Sequence, residues 1–209
     1  MSDYARRERA QLADLFIEVG PDAPTLCAGW NTSDLAAHLV VRERRPDVMA
    51  GALIPPLAGH AEHVRKQKAT ESWTALVREV RDPPWWSPLS NPLTDELANG
   101  MEFFIHHEDV RRGAPGWTPR VLDSGEQKAL WNAVKLTARL SLRKLHLPVL
   151  LRAPGFGEFK IGGDDPRATL IGEPGELVLF VSGRQRAAKV QIDGPPEIAE
   201  RLRAARFGM

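Results

Sequence analysis

The sequence predicts an α+β protein, with a helical bundle over residues 1–147 followed by a small α+β domain over residues 148–209. Three observations carry this. Apolar residues recur three and four apart through the first part of the chain, which is the helical period. After Leu147-Pro148 the texture changes to short β-branched or alternating segments separated by Gly, Pro and Asp, the pattern of strands and turns. The length of 209 residues, with 43% hydrophobic side chains, is enough for a sizeable core.

Residues from Ser2 to Val19 read as the first helix, with Leu12, Leu15, Phe16 and Val19 at helical spacing and Gly20-Pro21 as its stop. A loop from Asp22 to Trp30 contains Cys27. Asn31 then caps a second helix, with Asp34 three residues on as the acidic member of a capping box. Leu35, His38, Leu39 and Arg42 share one face, so His38 points inward, and the helix ends near Pro46. Met49 to Gly59 reads as a loop or broken helix, with His60 and His63 just after it. A third helix, Thr70 to Val80, turns Trp73, Leu76, Val77 and Val80 inward. The rigid turn Asp82-Pro-Pro-Trp-Trp-Ser-Pro88 puts Trp85 and Trp86 near a surface or cleft.

The next helix, Thr94 to Arg112, ends at Gly113 and carries an apolar stripe through Leu97, Met101, Phe104 and Ile105. Ser124-Gly-Glu-Gln127 reads as another capping box, opening a helix to Leu145 with Leu130, Val134 and Leu140 inward. Strands are expected at 149–152, 158–161, 168–171, 177–181 and 188–192. Pro195-Pro196 opens a closing helix to Ala205, with proline where a first turn tolerates it.

Twenty-eight basic and 27 acidic residues leave a net charge of +1, which argues against nucleic acid or an anionic membrane as the main partner. The single cysteine excludes an intrachain disulfide framework and Cys-rich zinc sites, and fits a reducing cytoplasm. The charged start Met-Ser-Asp-Tyr-Ala-Arg-Arg-Glu has no apolar signal core, and no run approaches the roughly 18 apolar residues of a membrane span. The expectation is a soluble cytoplasmic protein.

The candidate chemistry centres on Glu102 and His106. Four apart on a helix, they project one above the other, and Asp109 falls three further on, placed to orient the imidazole from behind. Adding His38 from the second helix gives two imidazoles and a carboxylate, the three-ligand pattern of catalytic zinc with one position left for water or substrate. Each member has a plainer reading. A lone inward histidine is an ordinary core residue, and Glu and His at this spacing also form surface pairs. Asp109 could instead pair with Arg111 or Arg112. His63 is a rival ligand or an exposed helix histidine, and His107 reads as a surface residue pointing away from the pair. Cys27 reads as a small buried hydrophobe, and Trp85-Trp86 as packing. Arg184, just after an apolar segment, is a solvated turn residue or an anion-binding group.

Three stretches together resemble one family. Leu26-Cys-Ala-Gly-Trp-Asn-Thr-Ser-Asp-Leu-Ala-Ala-His38-Leu resembles the first metal motif of DinB-like metal-binding four-helix bundles, and Glu102-x-x-x-His106-x-x-Asp109 resembles their second. Gly172-Glu-Pro-Gly-Glu-Leu-Val-Leu-Phe-Val-Ser-Gly-Arg184 is similar to the tail domain of the mycothiol-dependent maleylpyruvate isomerase branch. The resemblance spans nearly the whole chain. It implies a divalent metal, Zn²⁺, held by His38, Glu102 and His106 with water fourth, mycothiol as co-substrate and a bacterial cytoplasm. It also implies that Arg184 faces the metal site as a catalytic group. The segment Val41-Arg-Glu-Arg-Arg-Pro46 departs from the pattern and marks a distinct subgroup, so the substrate is not carried over.

Three functions compete. One is a metal- and thiol-dependent enzyme for isomerisation or thiol transfer on a small, electrophilic, carboxylate-bearing molecule. Another is a non-catalytic metal-binding bundle that binds or senses a small molecule, favoured if His63 closes the coordination sphere. The last has no metal at all.

Overall fold

The structure, a computed structural model, describes residues 3–48, 58–87, 92–143 and 145–207. Its elements in chain order are helices α1 (Asp3–Val19), α2 (Thr32–Arg44), α3 (Ala58–Ala69), α4 (Trp73–Arg81), α5 (Pro92–Arg111) and α6 (Ser124–Arg143), then strands β1 (Val149–Ala153), β2 (Gly157–Ile161) and β3 (Ala168–Ile171), helix α7 (Pro174–Val181), strand β4 (Gln191–Asp193) and helix α8 (Pro196–Ala204). The protein is thus mixed helix and sheet. None of the described helices is long and apolar enough to cross a membrane. Of the loop expected over Met49 to Gly59, residues 49–57 lie outside the described residues, and Ala58 and Gly59 open helix α3.

The chain divides into two compact units, 1–119 and 120–209. The sequence places the break later, after residue 147, because composition changes where strands begin. The packing places α6 with the sheet. Gln127 on α6 donates to Glu173 at 2.9 Å and accepts from the Gly175 amide at 3.3 Å, and Arg139 stacks over Phe159 of β2.

In the first unit α1 packs on α5 and α4, and α2 packs on α3 and α4. Leu12, Phe16, Leu35, Leu39, Leu76, Val80, Phe103 and Val110 form one apolar cluster among them. Gly20, with φ of 78°, accommodates the left-handed backbone that ends α1. The Asn31 capping box forms as the sequence predicts: the Asp34 amide donates to Asn31 Oδ1 at 2.9 Å, and the Asn31 amide donates back to Asp34 Oδ2 at 3.3 Å. Arg9 of α1 is buried. It donates to Glu43 of α2 and to the Val80 carbonyl of α4, and its guanidinium lies 4.1 Å over the Phe103 ring of α5. Burying a charge is tolerable when it is paired in this way. The third predicted helix starts later, at Trp73, and the stretch holding His60 and His63 is itself the helix α3.

In the second unit the sheet order is β2-β1-β3-β4. β1 is antiparallel to β2 and parallel to β3, and β3 is antiparallel to β4. The segment 177–181, expected as a strand, lies in helix α7. Pro174 sits in its first turn, and every residue from Pro174 to Val181 is buried. A helix buried on all sides is apolar all round, and periodicity cannot then tell it from a buried strand. The last expected strand is confined to Gln191–Asp193. The cap of α6 is Asp123, whose Oδ1 accepts from the Glu126 amide at 2.9 Å, rather than Ser124. Leu130 and Val134 are buried as expected, whereas Leu140 is 62% exposed.

Candidate metal centre

From Phe103 to Val110 every residue of α5 is buried. Neighbouring elements meet this helix on several faces, so each polar side chain must find a partner. Asn99 and Glu102 meet α2, His107 meets α1, and Asp109 meets the loop between α1 and α2.

His38 of α2 and His106 of α5 converge on a single carboxylate oxygen. Glu102 Oε1 stands 3.3 Å from His38 Nε2 and 3.2 Å from His106 Nε2. Both are hydrogen-bond contacts at the long end of the range, whose usual value is about 2.9 Å. They match the edge of a tetrahedral site, because ligands held about 2.0–2.2 Å from one ion stand about 3.4 Å apart. All three donor atoms lie within 4.8 Å of one another. Two imidazole nitrogens and a carboxylate oxygen suit zinc, and also other first-row divalent ions. The set is accessible on one side: His38 is 32% and Glu102 24% exposed at the side chain, against 9% for His106.

Asp109 is fully buried and stands where the spacing predicts. Its Oδ2 lies 2.8 Å from His106 Nδ1, placed to accept a hydrogen bond from that N–H while Nε2 faces Glu102. Arg111 and Arg112, the other partners the spacing offered, both reach Glu108. Cys27 is the residue that sequence reasoning missed. Its thiol donates to the same Asp109 Oδ2 at 3.2 Å, and Cys27, His106 and Asp109 form a second cluster of potential donors. The separation of 82 residues hides this contact from any local reading. The loop carrying Cys27 is fastened to α5 by the Leu26 amide, which donates to the Asp109 carbonyl at 3.0 Å. It also passes so close to Gly113 that a Cβ there would lie 2.2 Å from the Pro24 carbonyl oxygen, which only glycine allows.

Electrostatics follow from this packing. Burial pushes His38 below the usual imidazole value, and the charge on His106 adds to that, against the opposing bond to Glu102. For Glu102, burial acts to raise the carboxyl, but the bonds to His106 and His38 and the charges of His106 and Arg42 outweigh it and hold the group well below the carboxylate range. Burial would likewise lower His106, yet its bonds to Asp109, Cys27 and Glu102 win and raise it well above the imidazole norm.

The remaining expectations fall as follows. His107 is not a surface residue. It is buried with its Nδ1 2.8 Å from Glu8 Oε2 of α1, because α5 has no free face at that point. His63 is exposed on α3 and belongs to neither donor cluster. Trp85 and Trp86 are 90% and 49% exposed. Arg184 lies in the second unit, after α7 rather than after a strand, and its Nη1 donates to the Ser182 carbonyl at 2.6 Å. Trp30, in the first motif, packs against His38 with ring centroids 5.3 Å apart and the planes tilted by 49°, and is covered by Arg65 at 4.5 Å. Arg42, one turn after His38, places Nε 3.4 Å from Glu102 Oε1 and donates from Nη1 to Asn99 Oδ1 at 2.7 Å.

No family model matches the chain, and neither the curated proteins nor the solved structures compared with it give a match.

Proposed function

We propose that the chain is a DinB-like, metal-dependent enzyme, with Zn²⁺ held by His38, Glu102 and His106. The reading extends to a low-molecular-weight thiol such as mycothiol as co-substrate, and to isomerisation or thiol transfer on a small, electrophilic, carboxylate-bearing substrate in a bacterial cytoplasm. The observation that carries it is the convergence of three donor atoms from two helices, with Glu102 Oε1 3.3 and 3.2 Å from the two imidazole nitrogens and all three atoms within 4.8 Å of one another.

A bound divalent ion supplies Lewis acidity and lowers the pKa of a water or thiol beside it, so that a nucleophile exists at neutral pH. The chain's own residues prepare for this. Asp109 holds the proton of His106 on Nδ1 and fixes the ring. Glu102 supplies negative charge to the pocket, and the exposed sides of His38 and Glu102 leave an approach for a small molecule. His63 stands outside the donor set, which favours an open position over a sphere closed for storage or sensing. Arg184 is the group that would pair with a substrate carboxylate, as guanidinium geometry favours.

The test is metal content by elemental mass spectrometry of wild type and Glu102→Ala, purified together without chelator. About one zinc per chain in the wild type, lost in the variant with helicity intact, is expected for a three-ligand site. No metal in either protein after incubation with divalent ions would sink the reading. Once a thiol-dependent turnover is found, Arg184→Ala should lose it; equal turnover removes Arg184 from the chemistry.

A further inference from the structure

Arg42 stands beside the metal centre with part of its hydrogen-bonding capacity unspent. A guanidinium offers five N–H donors in a planar fork. Here Nη1 is bonded to Asn99 Oδ1 at 2.7 Å, and Nε is ion-paired with Glu102 Oε1 at 3.4 Å. Nη2 meets no protein acceptor among the described residues. The side chain is held in place, since Asn99 is 1% and Arg42 itself only 14% exposed, and it lies on the same face of α2 as His38, four residues on.

A cation paired with a metal ligand needs an explanation. A guanidinium beside Glu102 opposes the binding of a divalent ion, so it weakens the site it adjoins. With an ion present, the ion and Arg42 together outweigh the charges of Glu102 and Asp109. The pocket then carries an excess of positive charge, and an arriving anion offsets it. A carboxylate matches the guanidinium fork as well as the charge.

We infer that Arg42 makes the accessible side of the metal centre select a small molecule through its carboxylate group, in preference to a neutral ligand. This rests on the metal-site reading above and goes beyond it by naming the recognition group within the first unit; it does not depend on Arg184.

The experiment uses the full chain loaded with cobalt(II), whose visible spectrum reports what enters the coordination sphere. Acetate is titrated as the anionic probe and imidazole as the neutral one, into wild type, Arg42→Gln and Arg42→Lys. Arg42→Gln should bind acetate roughly tenfold more weakly, as expected for one lost charge-assisted contact, with imidazole affinity within about twofold. Arg42→Lys, which keeps charge but not the fork, should fall between. Cobalt stoichiometry should be unchanged in Arg42→Gln, since removing a positive charge does not weaken cation binding electrostatically.

Unchanged acetate affinity in Arg42→Gln, or an equal fall for acetate and imidazole, overturns the inference while leaving the metal centre intact. Loss of cobalt from Arg42→Gln but not Arg42→Lys also overturns it, making Arg42 a support for Glu102. A wild type that takes up no cobalt removes the metal reading itself, and this inference with it.

Discussion

His106 and His107 occupy adjacent positions on α5, both are buried, and each has Nδ1 2.8 Å from a carboxylate oxygen. The first faces α2 through its other nitrogen and meets Glu102 and His38 at the accessible edge of the unit. The second pairs with Glu8 of α1, side chains 7% and 3% exposed, and belongs to no donor cluster among the described residues. A carboxylate behind a histidine therefore does not by itself signal a metal ligand. What separates the two is whether further donors converge on the far nitrogen, and whether anything can reach them. The same helix builds a candidate site on one face and a structural hydrogen-bonded pair on the next.

The largest effect that would break this comparison is on metal retention. His106→Ala should abolish stoichiometric zinc, since two remaining ligands do not hold the ion through purification. His107→Ala should keep zinc affinity within about twofold while lowering unfolding free energy by about 1–3 kcal/mol, the cost of disrupting a buried hydrogen-bonded pair. Chemical denaturation and elemental analysis of the same two preparations separate the outcomes. Zinc lost from both would mean that the two faces are not independent.

Next in size is the carboxylate behind His106. Asp109→Asn should weaken zinc about 10–100-fold without removing it, the usual cost of losing the group that orients a ligating histidine. Competition with a chromophoric chelator measures this. A loss as complete as that of His106→Ala would make Asp109 a ligand itself, through the cluster it forms with Cys27.

The smallest expected effect is on acidity. Without metal His106 is raised and carries its proton at neutral pH, Glu102 is lowered and charged, and His38 is lowered and already neutral. Zinc must therefore displace about one proton, from His106, and affinity should fall about tenfold per pH unit below the raised value of that group. Calorimetry in buffers of different ionisation heat counts the protons; a count near zero would mean that His106 is neutral before zinc binds or is not a ligand.

Much of the candidate site was legible because it depends on local periodicity. Glu102, His106 and Asp109 lie within eight residues of one helix, and His38 and Arg42 share a face of another by spacing alone. The Asn31 capping box forms as read because its bonds are local. What escaped depends on packing. Cys27 reaches Asp109 only through the chain fold, and His107 is buried because α1 covers a face that periodicity assigns to solvent. α7 reads as a strand because complete burial erases the polar side of the helix. The break at residue 119 is invisible in composition, because α6 resembles the helices before it and differs only in what it packs against.

The α1–α2 loop ties these threads together. Its Leu26 amide and Cys27 thiol both rest on Asp109, and Pro24 closes over Gly113. A thermodynamic link of this kind runs both ways. Anything that immobilises His106 also steadies Asp109 and the loop, and so shields a thiol that does not touch the Nε2 side of the ring. The rate at which Cys27 reacts with an alkylating reagent then becomes a clock for occupancy at the opposite edge of the imidazole, read from a natural side chain without a label or an assay for turnover.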